Sequence, residues 1–538
     1  MIADRVFINA KVITLNDAQP EADFIAIGKG RILAVGNAKD AEKWIGVDTE
    51  VVDLQDKTVI PGLNDSHLHL YVYGQSLTWV ILNGATSIEE VKRRVTEKAK
   101  TTPLGQVIMG RGWDQTLFSE NRFLNRDDLD EAAPNHPVIL SRVCGHVTAV
   151  NSLALDMGEV RAKTPNPPGG GIQKDPVTGE PTGLLMETAK LLVTQKVPQP
   201  SFEDRKTMIR NAMGKAVACG LTSVTTDDIR QNLITKITDC LKIYHALWDE
   251  GTPVLRINLL VYQDALDEVL EMGFKTGSGD EKVRIGALKI VQDGSLGART
   301  GMMYEPYVND GENRGLPVHS QDELNDLVRK GHEAGMQIGI HVIGDAASDL
   351  CLNAFEKAQQ NYPRMDPRHR LIHYSVVNES ILSRTKALGV GVDAQPRFVS
   401  LNGRRVEEFL GDKRAAMTYA WKTIQEWGIP LAGGSDSPVD RLEPLLGIHN
   451  AVNRQVDSVP GMVFQPQECL SVLDAIHMYT LGSAYSTFEE TIKGSIEVGK
   501  LADLTILDRD PREIPDQIKD IRVMMTVVDG NIVYSCAV

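Results

Sequence analysis

The chain has 538 residues, 42% of them hydrophobic and 24% charged, the proportions of an ordinary globular protein with room for one large domain and a smaller one. Its net charge of −15 comes from 57 basic and 72 acidic residues, with the acidic excess spread along the chain. Such a protein repels phosphate backbones and anionic lipid, and Arg404-Arg405 is too small a basic patch to reverse that, so neither nucleic acid nor membrane is an expected partner.

The first residues, Met1 to Ile8, carry charge early and lack the apolar core of a secretory signal. No apolar run approaches the length of a membrane span. Cys144, Cys219, Cys240, Cys351, Cys469 and Cys536 are scattered without a CxxC pair and read as small buried apolar residues, which suits a reduced, cytoplasmic setting.

Residues 5–59 read as short alternating strands with turns between them, as in Val6 to Ile13 and Phe24 to Ile27 followed by Gly28-Lys29-Gly30. The C-terminus reads alike, with Leu504 to Leu507, Val523 to Val528, a turn at Asp529-Gly530-Asn531, and Ile532 to Tyr534. Both ends together predict one small β-sandwich domain over 1–59 and 490–538.

Residues 60–489 alternate apolar runs with helical stretches, the pattern of parallel βα units. Eight runs are candidate barrel strands: Thr58–His67, Leu221–Thr226, Val254–Tyr262, Arg284–Val291, Gln337–Val342, Arg370–Ser375, Gly389–Gln395 and Ile429–Ser435. They predict an α/β fold, a (β/α)8 TIM-like barrel. The gap after the first strand is too long for one helix, so about 75–215 forms a large insertion, a lid or side subdomain over the barrel mouth. Within it, Pro165 to Gly171 reads as a loop.

The first strand ends in His67-Leu68-His69. Histidines at i and i+2 of an extended chain point the same way, and both imidazoles can reach one ion. The pair alone is a weak signal, since surface or hydrogen-bonded histidines look the same. Its place at the end of an apolar strand strengthens it, because barrel active sites lie there. Lys289 sits inside the apolar strand Ile285 to Val291, where a lysine is costly unless paired or chemically altered. His341, His373 and Asp436 each end a further strand. Each alone reads equally well as a satisfied core or capping residue; their shared placement argues for a site. The other histidines, at 136, 245, 319, 332, 369, 449 and 477, lack it and read as surface or packing residues.

With these residues in view, the sequence resembles the amidohydrolase superfamily, and within it the YtcJ-type branch that includes N-substituted formamide deformylases. The marks are PGLNDSHLHL (61–70), GRGWDQ (110–115), LSRVCGHVTAVNS (140–152), GEPTGLLMETA (179–189), LKIVQDGSLGART (288–300), HVIGDAA (341–347), AGGSDSPV (432–439) and GSIEVGKLADLTIL (494–507). The resemblance implies that His67, His69 and Asp436 bind a buried metal. It implies that Lys289 is N-carboxylated and bridges to a second ion held by His341 and His373. Nitrogen and oxygen ligands suit zinc, one ion or two.

The implied reaction is hydrolysis of an amide-type C–N bond in an N-formyl, N-acyl or carbamate substrate, by a metal-bound hydroxide with Asp436 carrying the proton. Trp113 and His146 in the insertion, and Asp293, Gln395 and Arg397 at strand ends, are candidates for the substrate pocket; Arg397 would receive a substrate carboxylate or make a surface ion pair. Asp114, Arg142 and Asn151 line the pocket or hold the insertion together, and Glu187 is an extra acid or a helix cap.

Two rivals remain. Heterocycle deaminases of the superfamily often carry a glutamate three residues after the fifth-strand histidine, where this chain has Gly344 followed by Asp345. A non-catalytic scaffold would tend to lose metal ligands, and none is missing. A small-molecule substrate and a homodimer are the remaining expectations.

Overall fold

A computed structural model of the chain describes residues 2–142, 146–230, 236–251 and 254–536. Cys144 lies outside the described residues. Two compact units form, Met1–Tyr73 with Ile209–Val538, and Gly74–Met208.

The first unit holds the barrel. Its strands are β1 (Leu63–Leu68), β2 (Leu221–Ile229), β3 (Arg256–Tyr262), β4 (Val283–Val291), β5 (Ile338–Val342), β6 (Arg370–His373), β7 (Gly391–Ala394) and β8 (Leu431–Gly433). They form one eight-stranded sheet in chain order, and every paired neighbour is parallel. Burial on both faces explains their near-continuous apolar runs. The seam between β8 and β1 is joined just past β8, where Asp436 N donates to His67 O and His69 N donates to Ser437 O, both at 2.8 Å.

The expected first strand, Thr58–His67, is two strands. Thr58–Pro61 pairs with Lys11–Ile13 and Leu504–Leu507, and only Leu63–Leu68 enters the barrel. The break falls at Gly62, whose amide donates to Asp503 O at 2.9 Å. A Cβ on Gly62 would lie 2.2 Å from Thr222 Oγ1, so only glycine lets the chain leave one sheet for the other against β2.

Both termini share the six-stranded sheet that contains Thr58–Pro61: Val523–Val528 pairs with Leu504–Leu507 and with Asn531–Ser535. A four-stranded sheet of Arg31–Gly36, Phe24–Gly28, Arg5–Ile8 and Glu50–Asp53 faces it. Phe7, Ile25 and Ile27 from one sheet pack with Val12, Val59, Leu504 and Val527 from the other. Each such side chain removed from water contributes about 1.5–3 kcal/mol before entropy is counted.

The second unit carries its own six-stranded sheet, in the order Gly170–Lys174, Pro181–Glu187, Val147–Val150, Val138–Arg142, Ile108–Trp113, Val80–Ile81. Gly170 and Gly171 belong to its edge strand, paired with Glu187 and Met186, so the loop expected over Pro165 to Gly171 ends two residues early. Ser87 caps the helix Ile88–Thr101 by accepting from Glu90 N at 3.1 Å, and Asn125 with Asp128 forms a capping box on Arg126–Ala132. Among the described residues no helix is long and apolar enough to cross a membrane.

Candidate metal centre

The C-terminal ends of the barrel strands bring all six of the expected ligand residues into one network of contacts. His67 and His69 project from the end of β1 with ring centroids 5.2 Å apart. His69 Nε2 lies 3.0 Å and His67 Nε2 3.5 Å from Asp436 Oδ1. Ligand atoms of these three residues all fall within 4.8 Å of one another. Lys289, on β4, places Nζ 3.1 Å from His67 Nε2. His373 ends β6 with its ring 5.7 Å from that of His67, and 4.5 Å from the ring of His341 on β5.

The backbone is bent to achieve this. His373 and Asp436 adopt φ of 75° and 58°, left-handed conformations that cost a non-glycine residue on the order of 1–3 kcal/mol and persist only where the surroundings impose them. Around Asp436 those surroundings are visible. A Cβ on Gly434 would sit 2.8 Å from His67 N, so the chain after β8 presses directly on β1. Asp65 ties the same junction, accepting from His67 N at 3.0 Å and Ser435 N at 3.1 Å. Burial outweighs these bonds and pushes the Asp65 carboxyl up to about 7.

Hydrogen bonds select the nitrogen each imidazole offers. Asp227 Oδ1 lies 2.5 Å from His69 Nδ1, which turns Nε2 toward Asp436. Gln395 Oε1 accepts from His373 Nδ1 at 2.6 Å, leaving Nε2. His341 Nε2 donates to Gly294 O at 2.8 Å, leaving Nδ1.

Burial holds His67 and His341 well below the usual histidine range, and His373 down to about 4. These three are neutral donors at pH 7. Burial also works against charging His69, but Asp227 and Asp436 raise it to about 10. Burial would raise Asp436, yet the bond from His69 and the nearby His373 and Lys289 lower it, so it is a carboxylate. Burial brings Lys289 down to about 8 against the pull of Asp227, Asp436 and Asp393, giving it an appreciable neutral-amine fraction near neutrality. Neutral imidazoles around a buried carboxylate are a donor set that fits a divalent ion with nitrogen and oxygen preference.

Asp227 was not among the residues expected from sequence. It belongs to Thr225-Thr226-Asp227-Asp228 on β2, fully buried in the strand, and a pair of adjacent acids ending a buried strand was the available signal. The remaining candidates have definite places. Asp293 is buried and accepts from Ile343 N, Gly344 N and Met302 N, each at 2.9 Å, anchoring the loop after β4 beside His341. Arg397 donates to Asp440, Asn450 and Asp457 at 3.0–3.1 Å, so its guanidinium is already engaged. In the insertion, Trp113 is buried in the apolar core and donates to Leu140 O at 2.8 Å, whereas His146 is exposed and pairs with Glu187 at 3.0 Å. Arg142 pairs with Asp114 at 2.9 Å, and Asn151 caps the helix Ser152–Met157.

Comparison with known proteins agrees with this geometry. The amidohydrolase family model matches residues 50–534. The amidohydrolase YtcJ of Bacillus subtilis is 35% identical over 97% of this chain and 98% of its own length. An N-substituted formamide deformylase of Arthrobacter pascens is 27% identical over 99% of this chain and 98% of its own. The crystal structure of a metal-dependent hydrolase from Pyrococcus furiosus, described as uncharacterized, superposes with a TM-score of 0.79 at 31% identity, covering 94% of this chain and 99% of the other. A barrel whose strand ends gather histidines, a lysine and an aspartate, in a chain matched along nearly its whole length, belongs to the amidohydrolase family and is a metal-dependent hydrolase of C–N bonds.

Proposed function

We propose that the site holds one or two divalent ions, zinc first among them, and hydrolyses an amide-type C–N bond in an N-formyl, N-acyl or carbamate compound. The observation that carries this reading is the convergence of His67, His69 and Asp436, with ligand atoms within 4.8 Å of one another. His67, His69 and Asp436 would hold one ion. Carboxylated Lys289 would bridge to a second, held by His341 and His373. When bound, a divalent ion supplies Lewis acidity and lowers the pKa of a water ligand to about 7.

The protein's own part is proton transfer and orientation. Asp436, a carboxylate held against His69 Nε2 at 3.0 Å, takes the proton of the attacking water and returns it to the departing nitrogen. Asp227 and Gln395 fix the rings of His69 and His373, so ligand direction is set before substrate arrives. Lys289 meets the first requirement for carboxylation, since carbon dioxide adds to a neutral amine and burial supplies one.

The similarity to a deformylase puts formamides first in a substrate screen. A heterocycle deaminase is less well supported. A Cβ at Gly344 would lie 1.8 Å from Met302 O, so no glutamate fits there, and Asp345 already accepts from Tyr304 N and Ala346 N.

The test is a panel of N-formyl, N-acyl and carbamate compounds presented to zinc-loaded wild type and Asp436→Asn. Turnover by wild type, lost by at least about 100-fold in a variant that retains its metal, is the expected result. Ammonia release from amino-heterocycles with no amide turnover would overturn the reading.

A further inference from the structure

At the barrel rim next to the proposed centre stands an arginine that makes no ion pair among the described residues. Arg230 is the first residue past β2, three positions after Asp227. Its guanidinium carbon lies 4.0 Å from the centre of the Tyr262 ring. Tyr262 ends β3 and is in register with Lys289 on β4, while Ile229 is in register with Val261. The Arg230–Tyr262 pair therefore sits at the C-terminal edge of the barrel, beside the strand that carries Lys289. Both side chains are half-buried.

Among the described residues Arg230 has no hydrogen-bond or ion-pair partner. The two acids just before it in the chain, Asp227 and Asp228, are engaged by His69 and by Tyr244. Arg397, for which the sequence left open a carboxylate receptor or an ion pair, is spent on Asp440 and Asp457. An arginine held over an aromatic face is oriented but not neutralised, and its N–H groups lie in the guanidinium plane, where they can donate edge-on to a planar anion. In a protein of net charge −15, a guanidinium so placed beside the reaction centre offers an anionic substrate group a local point of attachment.

We propose that Arg230 is the receptor for a carboxylate on the substrate. This rests on the amide-hydrolase reading above and narrows it: the compound cleaved is an amide-type molecule that also bears a carboxylate, paired with the guanidinium by two parallel N–H···O bonds. A single guanidinium matches one carboxylate edge. Tyr262 acts as the platform that sets the plane of the fork.

The test is calorimetric binding of N-formyl and N-acetyl amino acids, each beside its own methyl ester, to zinc-loaded wild type, Arg230→Met and Arg230→Lys. Turnover of the same compounds is measured in parallel. Wild type is expected to bind at least one acid about 10- to 100-fold more tightly than its ester, the range of a charge-assisted pair. That ratio falls to near one in Arg230→Met and is partly kept in Arg230→Lys, which retains the charge without the fork. Equal binding of acid and ester by wild type across the panel, or an unchanged ratio in Arg230→Met, overturns the proposal. Binding with the expected ratios but no turnover would leave Arg230 as the carboxylate receptor and count against the hydrolase reading alone.

Discussion

Asp227 Oδ1 stands 2.5 Å from Nδ1 of His69, and this contact decides which nitrogen of His69 faces Asp436. The imidazole is clamped between two carboxylates from β2 and from the turn after β8, on opposite sides of β1. Asp227 is itself held low, against its burial, chiefly by His69 and by Lys289. Removing it frees the ring to rotate and withdraws the charge that makes Nε2 a strong donor. Asp227→Ala is expected to weaken zinc binding about 10- to 100-fold, and Asp227→Asn, which keeps an acceptor, to weaken it less. Competition with a chromogenic chelator measures this, and equal affinity in all three proteins would contradict the clamp.

Gln395 plays the matching part for His373 through the 2.6 Å bond to Nδ1. In Gln395→Leu that ring loses its partner while Phe398, stacked on it at 5.7 Å, still fills the space behind. The expected result is about a tenfold loss of activity at limiting zinc, recovered at excess zinc. A loss that excess metal does not recover would show that Gln395 acts on something other than the His373 ring.

Below the barrel, acid stability depends on Glu489. It is buried, 2.8 Å from Lys493 and 3.2 Å from Arg284, and accepts from Thr487 Oγ1 at 2.8 Å. Burial alone would raise its carboxyl, but Lys493 and Arg284 hold it below the usual value of 4.5. A folded pKa below the unfolded one contributes stability that is present above the unfolded value and lost as pH falls through the folded one. Wild type should therefore lose melting temperature on acidification below about pH 4.5. Glu489→Gln should be less stable at pH 7 by about 3–5 kcal/mol, the cost of leaving buried cations unpaired. Its disadvantage should shrink on acidification, and a constant gap between pH 7 and 3 would refute the assignment.

Metal removal should destabilise as well as inactivate. An ion that binds only the folded state stabilises by about 4 kcal/mol at a thousand times its Kd. Chelation of the zinc-loaded protein is expected to lower its melting temperature and zinc to restore it, while the double variant His67→Asn/His69→Asn shows neither response. Identical melting of chelated and reloaded protein would mean that no ion binds the native state appreciably.

Much of this architecture was legible in the chain because it is periodic. Strand ends in a parallel barrel share one face, so reading eight apolar runs was enough to place His67, His341, His373 and Asp436 together, and the buried position of Lys289 marked it as unusual. What escaped is set by residues far apart in sequence. The break at Gly62 exists because Thr222 stands against it, and the engagement of Arg397 depends on Asp440 and Asp457. The strand expected from sequence ends at Thr226, whereas β2 continues to Ile229 and so takes in Asp227. Only its partner, His69, shows what it does.

The most direct test of the central claim is an anomalous difference map collected at the zinc edge from crystals of the zinc-loaded protein. A peak about 2.0–2.2 Å from His67 Nε2, His69 Nε2 and an Asp436 carboxylate oxygen is the predicted result. Zinc bound only elsewhere, with these three side chains left in contact with one another, would contradict it.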